Sequence, residues 1–393
     1  MTSPVQDAAL QRLQAVRPQW RAVRFARNAV GLPEFTLLHA GPPYEDPCRP
    51  PPPVLSSAVL CCLYEGWAAS EQDAERLIAT GRVNLVSAQS YGVVTPLAAV
   101  ISGSTALVEA GDPTGAAWSL LGSGAGPQLR FGSRDPAILD RMKWRDSVLA
   151  PALDTALRGE PVDLLALARH GLDNGDDLHA RTTAASAALY DVLSARLTDS
   201  SIHTMLQQTP LFFLTLWMAA CRLMTSAAAR NADPASTLVV SLAGNGIDVG
   251  IQLAGRPSLW HTAAAAAPAG PAINLALKVA AAPLTGDSGV IDIAGFGAQA
   301  LALAPEPAGA FAAWLPPEWQ REQAQLYAGS HPCFTDLHCG LDAARVALHR
   351  VAPLAAIAMI GADGRAGLLG RGLFAAPQSL FASAVQSLET RCS

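Results

Sequence analysis

The stretch Phe35-Thr-Leu-Leu-His39-Ala40 is short, apolar and partly β-branched, and Gly41-Pro42-Pro43 follows it directly. A run of this kind, ended by turn-forming residues, predicts a buried β-strand. Two similar runs follow at residues 83–87 and 105–109, and a helix is predicted at 71–80. Because strands alternate here with helix-length segments, the pattern predicts βαβ units and a largely parallel sheet.

The chain beyond this region changes character twice. Amphipathic helices are predicted between residues 136 and 235, the best at 176–193, and the segment 211–228 is apolar on nearly every face, which is typical of a helix buried in a helical layer. Strand patterning then returns around Ala243-Gly244-Asn245-Gly246, a strong hairpin signal. We therefore predict an α/β protein made of a βαβ-type domain (1–135), a helical segment (136–235) and a mixed α/β domain (236–393).

The amino-acid composition excludes several classes of function. Half of the 393 residues are hydrophobic and 15% are charged, so the chain can bury a sizeable core and is not disordered in bulk. The formal net charge of −5 argues against a general nucleic-acid binder. The seven cysteines are irregularly spaced, the N-terminus has no secretory pattern, and charged or proline residues interrupt every apolar stretch. We expect a cytoplasmic protein without a membrane span.

The densest polar cluster is Gly175-Asp176-Asp177-Leu178-His179-Ala180-Arg181. If a helix begins at Asp176, this residue and His179 share one face, and Asp177 and Arg181 share the neighbouring one. An acid beside an imidazole could orient a base, receive an anion or hold a metal. A capping aspartate with a surface ion pair explains the same spacing and is the commoner outcome.

Two glycine turns also bring polar side chains near flexible backbone. Asn245 and Gly246 precede Asp248 in the predicted hairpin, and Gly286-Asp287-Ser288 leads into an apolar run at 290–294 that we interpret as a strand. Backbone N–H groups in such turns can bind a carboxylate or a phosphate. Ordinary turn chemistry accounts for both equally well.

Other motifs are weaker. Gly122-Ser-Gly124-Ala-Gly126 lacks the residues of a phosphate-binding P-loop. The spacing of His331, Cys333, Asp336, His338 and Cys339 matches no standard zinc pattern. We predict neither a metal nor a cofactor.

Several stretches together resemble the family of the oxamate carbamoyltransferase subunit of allantoin breakdown. The resemblance runs from about residue 30 to the end and includes Leu37-Leu-His39-Ala-Gly-Pro-Pro43, Leu129-Arg130-Phe-Gly132, Gly175 to Arg181, Asn245-Gly246-Ile-Asp248, Gly286-Asp287-Ser288 and Gly295-Phe-Gly297. It implies carbamoyl transfer, with partner subunits, in which oxalurate and phosphate yield oxamate and carbamoyl phosphate. Ser87-Ala-Gln89-Ser90-Tyr91 stands where relatives tend to carry histidines, so the carbamoyl donor or acceptor stays open.

Acyl-transfer chemistry of this kind needs a proton carrier and groups that hold anions. The resemblance suggests His179 as general acid/base or carbonyl polariser, oriented by Asp176. Arg181 or Arg130 would hold the carboxylate or phosphate, and Asp248 and Asp287 would accept N–H bonds from the carbamoyl nitrogen. The turns at Asn245, Gly246, Gly286 and Ser288 would supply further substrate contacts. All of these residues are expected to converge in one crevice.

Alternatives remain open. The chain could be a non-catalytic ligand-binding or scaffolding subunit of a multi-protein complex, or a specialised-metabolism paralogue with another acceptor. A metal-dependent activity using Asp176 and His179 is a third reading. Whether the chain forms a homo-oligomer is also open, since an apolar helix can lie in a monomer core or in an interface.

Overall fold

The computed structural model describes residues 4–389, which fold into a mixed α/β protein. Its helices are α1 Pro4–Ala15, α2 Ala26–Ala29, α3 Pro52–Tyr64, α4 Glu71–Ala79, α5 Ala137–Trp144, α6 Ala150–Leu157, α7 Leu164–Asp173, α8 Thr183–Ser194, α9 Ser200–Gln207, α10 Phe213–Ala229, α11 Gly289–Ala294, α12 Pro305–Phe311, α13 Trp319–Ala324, α14 Ala343–His349 and α15 Gln378–Glu389. Short 3-10 helices cover Ala88–Tyr91, Leu129–Phe131 and Gly297–Leu303, and a π-helix covers Arg145–Leu149.

The strands are mostly short. They are β1 Gln19–Phe25, β2 Thr36–His39, β3 Asn84–Ser87, β4 Val93–Val94, β5 Ala106–Asp112, β6 Gly115–Leu120, β7 Val162–Asp163, β8 Val239–Asn245, β9 Asp248–Leu253, β10 Arg256–Ala264, β11 Thr285–Gly286, β12 Tyr327–His331, β13 Phe334–Leu341, β14 Leu354–Ala355, β15 Met359–Ile360, β16 Leu368–Gly370 and β17 Phe374–Ala375.

Two sheets organise the molecule. A five-stranded sheet has the order β4-β6-β5-β1-β7, and a four-stranded sheet has the order β10-β9-β8-β11. Helix α10 contacts strands of both, and fourteen of its seventeen residues are buried. The prediction of a buried helix at 211–228 is therefore confirmed. One large apolar cluster contains residues from all three predicted segments, from Ala9 to Leu388. The division of the chain into 1–135, 136–235 and 236–393 stays a prediction.

The α/β class is confirmed, but parallel pairing is limited to two places in the described chain. β2 pairs parallel with β3, and β4 pairs parallel with β6, whereas the other strand pairs in the named sheets are antiparallel. The reason is that β1 and β6, which hydrophobic patterning did not mark as strands, pair antiparallel with β5. Alternation of strands and helices along a sequence does not report which strands become neighbours.

Two predicted elements near the candidate site differ in the structure. Helix α8 begins at Thr183 and not at Asp176, because Leu178 adopts a left-handed backbone with φ 68° and breaks the predicted helix. Residues 289–294 form helix α11 and not a strand. A short apolar run that is buried on every side carries no periodicity that separates strand from helix.

The described part of the chain contains no helix that is both long enough and apolar enough to cross a lipid bilayer.

Candidate functional site

The imidazole of His179 is held by an aspartate from a distant segment. Nδ1 of His179 lies 2.8 Å from Oδ2 of Asp292, and both side chains are almost fully buried. Oδ1 of Asp292 accepts hydrogen bonds from the backbone N–H groups of Ala298 and Ala356, at 2.9 and 3.0 Å. Because a carboxylate accepts, Nδ1 of His179 carries the proton, and Nε2 is the nitrogen left for other contacts.

Asp176 therefore does not orient His179, contrary to the sequence-based expectation. Oδ1 of Asp176 pairs with Arg181 at 2.9 Å, and Oδ2 accepts from the N–H of Ala185 in the first turn of α8. The predicted pair of Asp177 with Arg181 is likewise replaced, since Asp177 accepts from the backbone N–H groups of Ala180 and Arg181. Burial raises the pKa of both carboxyl groups, while these hydrogen bonds oppose the rise. The predicted faces do not form because the helix starts seven residues later.

A cleft of about 360 Å³ lies in front of His179. Segments that are far apart in sequence line it, among them Pro96, Leu97, Arg130, Phe131, His179, Ala180, Arg181, Thr183, Leu211, Leu214, Ile273, Ser288, Phe311, Ala358, Arg371 and Gly372. The walls are mostly apolar and the charged groups are few, which is the usual make-up of a small-molecule site.

Arg130 differs from the other charged residues of this cleft because it is buried without a partner of opposite charge. Its side chain is 8% exposed, yet its Nε has no hydrogen-bond partner and no carboxylate among the described residues pairs with its guanidinium. Its guanidinium packs over the ring of Phe131, with Cζ 4.9 Å from the ring centre. Burial lowers the pKa of Arg130 to about 10. A buried guanidinium without a counter-charge is costly, and an anion from solution would offset that cost.

The cleft contains two further arginines whose charges are already paired. Arg181 binds Asp176, and Arg371 binds Glu306 at 2.6 Å. Both pairs are more exposed on the arginine side than Arg130 is. Among the arginines of the described lining, Arg130 is thus the one without a carboxylate partner, and this distinguishes it from Arg181, the other candidate from the sequence.

The turn at residues 286–288 reaches the same cleft. Asp287 is fully buried, and its oxygens accept hydrogen bonds from the N–H of Gly41, the amide of Gln89 and the N–H of Thr95, at 2.8 to 2.9 Å. Burial raises the pKa of Asp287. These contacts join three segments, so the carboxylate is engaged by the protein itself and not by a carbamoyl nitrogen. The next residue, Ser288, lines the cleft.

The turn at Asn245 pairs with β11 but does not line the cleft. The Asn245 side chain donates to the carbonyl of Pro42 and accepts from the N–H groups of Ile247 and Asp248. Asn245, Gly246 and Asp248 are absent from the described lining of the cleft. Burial and the nearby Glu45 raise the pKa of Asp248. His179, Arg181, Arg130 and Ser288 therefore line one cleft. Asn245 instead stabilises the turn between β8 and β9.

Gly286 contacts the cleft wall through its backbone. It adopts φ 123°, and a Cβ there would lie 2.7 Å from the backbone nitrogen of Leu97, which is itself a lining residue. Glycine is therefore required for this approach.

Sequence reasoning missed Asp292 and Arg371. Asp292 was hidden in an apolar run interpreted as a strand, although an acid in the middle of Val290-Ile-Asp-Ile-Ala294 is an unusual residue for a core and could have been noticed. Arg371 had no local signal. Among the described residues no group of three or more His, Cys, Asp or Glu side chains is arranged to hold a metal ion.

Comparison with known proteins gives one consistent result. The family model for the oxamate carbamoyltransferase subunit AllG matches residues 83–288. The chain is 30% identical to the oxamate carbamoyltransferase subunit AllG of Escherichia coli (strain K12), over 97% of this chain and 96% of that protein. It is also 25% identical to the uncharacterized protein YahG of the same strain, covering 96% of this chain and 84% of that one.

A solved structure shares the fold along almost the whole length. A conserved protein of unknown function from Enterococcus faecalis V583 matches with a TM-score of 0.91 and 25% identity, covering 98% of this chain and 97% of that one. The match to the family model and the near-complete coverage of the E. coli subunit agree with the motifs quoted from the sequence. The chain belongs to the family of the oxamate carbamoyltransferase subunit AllG.

Proposed function

We propose that this chain binds a small carbamoylated acid of the oxamate class in the cleft in front of His179 and takes part in moving its carbamoyl group to or from phosphate. The observation that carries the proposal is Arg130, a buried guanidinium without a counter-charge that lines this cleft. The relative named as an oxamate carbamoyltransferase subunit supports the same class of chemistry.

Arg130 suits the anionic part of such a substrate. A guanidinium binds a carboxylate or a phosphate through two parallel N–H bonds. Each charge is poorly screened in a buried site, so the pair is stronger than at the surface. A cleft of about 360 Å³ is large enough for a small carbamoylated acid such as oxalurate.

His179 suits the proton transfers of acyl exchange. Its Nδ1 is fixed by Asp292, so Nε2 can take a proton from the attacking group and return it to the leaving group. Asp292 takes the orienting role that the sequence assigned to Asp176.

Calorimetric titration tests the binding step. We expect the wild-type protein to bind oxamate or oxalurate, and Arg130→Met to weaken binding by about a hundredfold or more, because a charge-assisted bidentate contact is lost. The matched control is Arg82→Met, since Arg82 is an exposed arginine outside the cleft lining. Equal affinity in the two variants, or no binding of oxamate, oxalurate and carbamoyl phosphate by the wild type, would contradict the proposal.

Turnover tests the catalytic step. In an assay of oxamate and carbamoyl phosphate formation from oxalurate and phosphate, we expect His179→Ala to lower the rate at least about a hundredfold, the usual loss for a general acid–base group. Binding with no turnover in the complete assembly would instead favour the ligand-binding or scaffolding role.

We propose further that the chain acts together with partner subunits, as the name of its relative implies for that protein. The side chains of Ile273 and Leu275 are 70% and 82% exposed, and Leu277 is 42% exposed. We call residues 273–277 the apolar tip. Ile273 also lines the cleft, so a partner subunit bound at the apolar tip would lie beside the substrate.

A further inference from the structure

Resting on the function proposed above, we propose that Ser288 is a nucleophile that carries the carbamoyl group covalently between the two substrates. Ser288 lines the cleft together with His179 and Arg130 and is 4% exposed. The proposal follows from its position relative to Asp292, from its free hydroxyl and from the number of unpaired cations in the cleft.

Ser288 and Asp292 stand on one short element. Ser288 is the residue before α11, and Asp292 lies four residues later, one helical turn along the same face. Asp292 holds Nδ1 of His179, and His179 and Ser288 both line the same cleft. A serine, an imidazole and an orienting carboxylate are the parts of an activated nucleophile.

The hydroxyl of Ser288 has no hydrogen-bond partner among the described residues. Some other buried serines donate theirs to the backbone, for example Ser57 to the carbonyl of Leu129 and Ser119 to the carbonyl of Val94, whereas Ser236, outside the cleft lining, also lacks a partner. The described residues also show no direct bond between Ser288 and His179, and contacts between a nucleophile and its base commonly tighten only in the substrate complex.

The backbone on both sides of Ser288 is held closely. A Cβ on Gly286 would lie 2.7 Å from the nitrogen of Leu97, and one on Gly289 would lie 2.4 Å from the carbonyl oxygen of Leu242. Asp287 adds its hydrogen bonds to Gly41, Gln89 and Thr95. Such fixed backbone keeps the Ser288 side chain in one place, as a nucleophile requires.

The charges favour one anion at a time. Arg181 and Arg371 are paired with Asp176 and Glu306, which leaves Arg130 as the unpaired arginine of the described lining. The two reactants, an oxamate-type acid and phosphate, are both anions. If the same guanidinium serves both in turn, the carbamoyl group must be kept by the protein between them.

The carbamoyl group passes from oxalurate to Ser288 and then from Ser288 to phosphate. Oγ of Ser288 attacks the carbamoyl carbon of oxalurate while Nε2 of His179 takes the hydroxyl proton. The bond from that carbon to the oxamate nitrogen breaks, and His179 gives its proton to this nitrogen. Phosphate then takes the place of oxamate on Arg130 and attacks the carbamoyl–serine ester. The attacking phosphate gives its hydroxyl proton to Nε2 of His179, the bond from the carbamoyl carbon to Oγ of Ser288 breaks, and His179 passes that proton to Oγ as carbamoyl phosphate leaves.

Two measurements test this sequence on the full chain, with its partner subunits where transfer needs them. With oxalurate and labelled oxamate but no phosphate, we expect the label to exchange into oxalurate. With oxalurate alone, we expect mass spectrometry after acid quench to find one carbamoyl group on the peptide that contains Ser288. Ser288→Ala should lose both signals and at least about a hundredfold in transfer rate, while calorimetry still shows oxamate binding. Ser119→Ala, which alters a buried serine outside the cleft, should keep both signals.

The outcomes separate the two proposals. Transfer at the wild-type rate by Ser288→Ala, no exchange in the absence of phosphate, or an adduct on another residue would overturn the nucleophile and leave the proposed function standing. Failure of the wild-type protein to bind any of the three substrates would remove the proposed function, and the nucleophile with it.

Discussion

Arg130 and Arg145 are both buried arginines, and their surroundings differ in one respect. Arg145 forms a two-point ion pair with Asp146 at 2.7 Å, whereas Arg130 has no carboxylate partner. A buried charge with a well-placed partner is tolerated, and one without it lowers the stability of the fold. The protein therefore keeps Arg130 at a cost, which is the expected signature of a residue retained for binding.

This difference predicts opposite effects of the same substitution. We expect Arg130→Met to raise the free energy of unfolding in ligand-free buffer by roughly 1–3 kcal/mol, because it removes an uncompensated charge. Arg145→Met should lower it by about 3–5 kcal/mol, because Asp146 is then left buried without its partner. Urea denaturation measures both. A loss of stability in Arg130→Met would indicate that an unseen structural role keeps this arginine.

His39 gives a pH dependence whose sign follows from burial. It is fully buried, stacks on Tyr44, and desolvation lowers its pKa from 6.5 to about 4. Between those two values the unfolded chain binds a proton that the folded chain does not, so stability is complete above pH 6.5 and falls as the pH drops toward 4. The His39 contribution amounts to roughly 3 kcal/mol across that interval.

We expect His39→Phe to remove this dependence while keeping the stacked ring. The test compares the free energy of unfolding of wild type and variant at pH 7 and pH 4.5, where the wild type should lose more of it. His331, whose pKa burial also lowers to about 4, titrates in both proteins and cancels in the comparison. Identical losses in the two proteins would show that His39 does not cause the effect.

At the scale of elements, helix α8 depends on a carboxylate that is seven residues away from its start. Oδ2 of Asp176 accepts from the N–H of Ala185, and Oδ1 pairs with Arg181. The residue directly before the helix, Thr182, makes no side-chain hydrogen bond to the first turn. Asp176 thus performs the capping function from the preceding loop.

We expect Asp176→Ala to lower the free energy of unfolding by about 2–3 kcal/mol, since it removes a cap and leaves buried groups without partners. The comparison is Asp199→Ala, which removes the exposed cap of α9 and should cost less, because water replaces the lost bond. Thermal and urea unfolding measure which of the two variants loses more of the free energy of unfolding. A smaller effect at Asp176 would mean that Arg181 and the α8 N–H groups find other partners.

At the scale of the whole molecule, the apolar tip is the feature that a monomer does not explain. The side chains of Ile273, Leu275 and Leu277 are exposed although isoleucine and leucine are strongly hydrophobic. The backbone on either side forms isolated β-bridges, Ala272 with Gly370 and Ala281 with Gly361. Substituting surface residues away from the core usually changes stability by less than about 0.5 kcal/mol. Association and stability can therefore be separated here.

We expect Leu275→Ser combined with Leu277→Ser to abolish association with the partner subunits proposed above and to leave the melting temperature of the isolated chain unchanged. Light scattering after size-exclusion chromatography of the mixed subunits measures the first, and calorimetry measures the second. Leu348→Ser is the matched control, since Leu348 is 76% exposed on α14 and outside the cleft lining. Association that persists in the double variant would place the partner elsewhere.

The sequence by itself determined the family, the α/β class and the local elements whose signals lie within a few residues: β2, β3, α4, the buried helix α10 and the hairpin of β8 and β9. It also identified His179 and Ser288 as candidates, because polar residues beside glycine turns can be recognised in the sequence, and the family resemblance added Arg130. Only the tertiary structure decided their partners. Asp292 reaches His179 from 113 positions away, and Arg371 and Ile273 enter the cleft from segments with no shared local pattern. The physical reason is that hydrogen bonds and charge pairing act through space, so the pairing of Arg181 and the isolation of Arg130 exist only once the chain has folded.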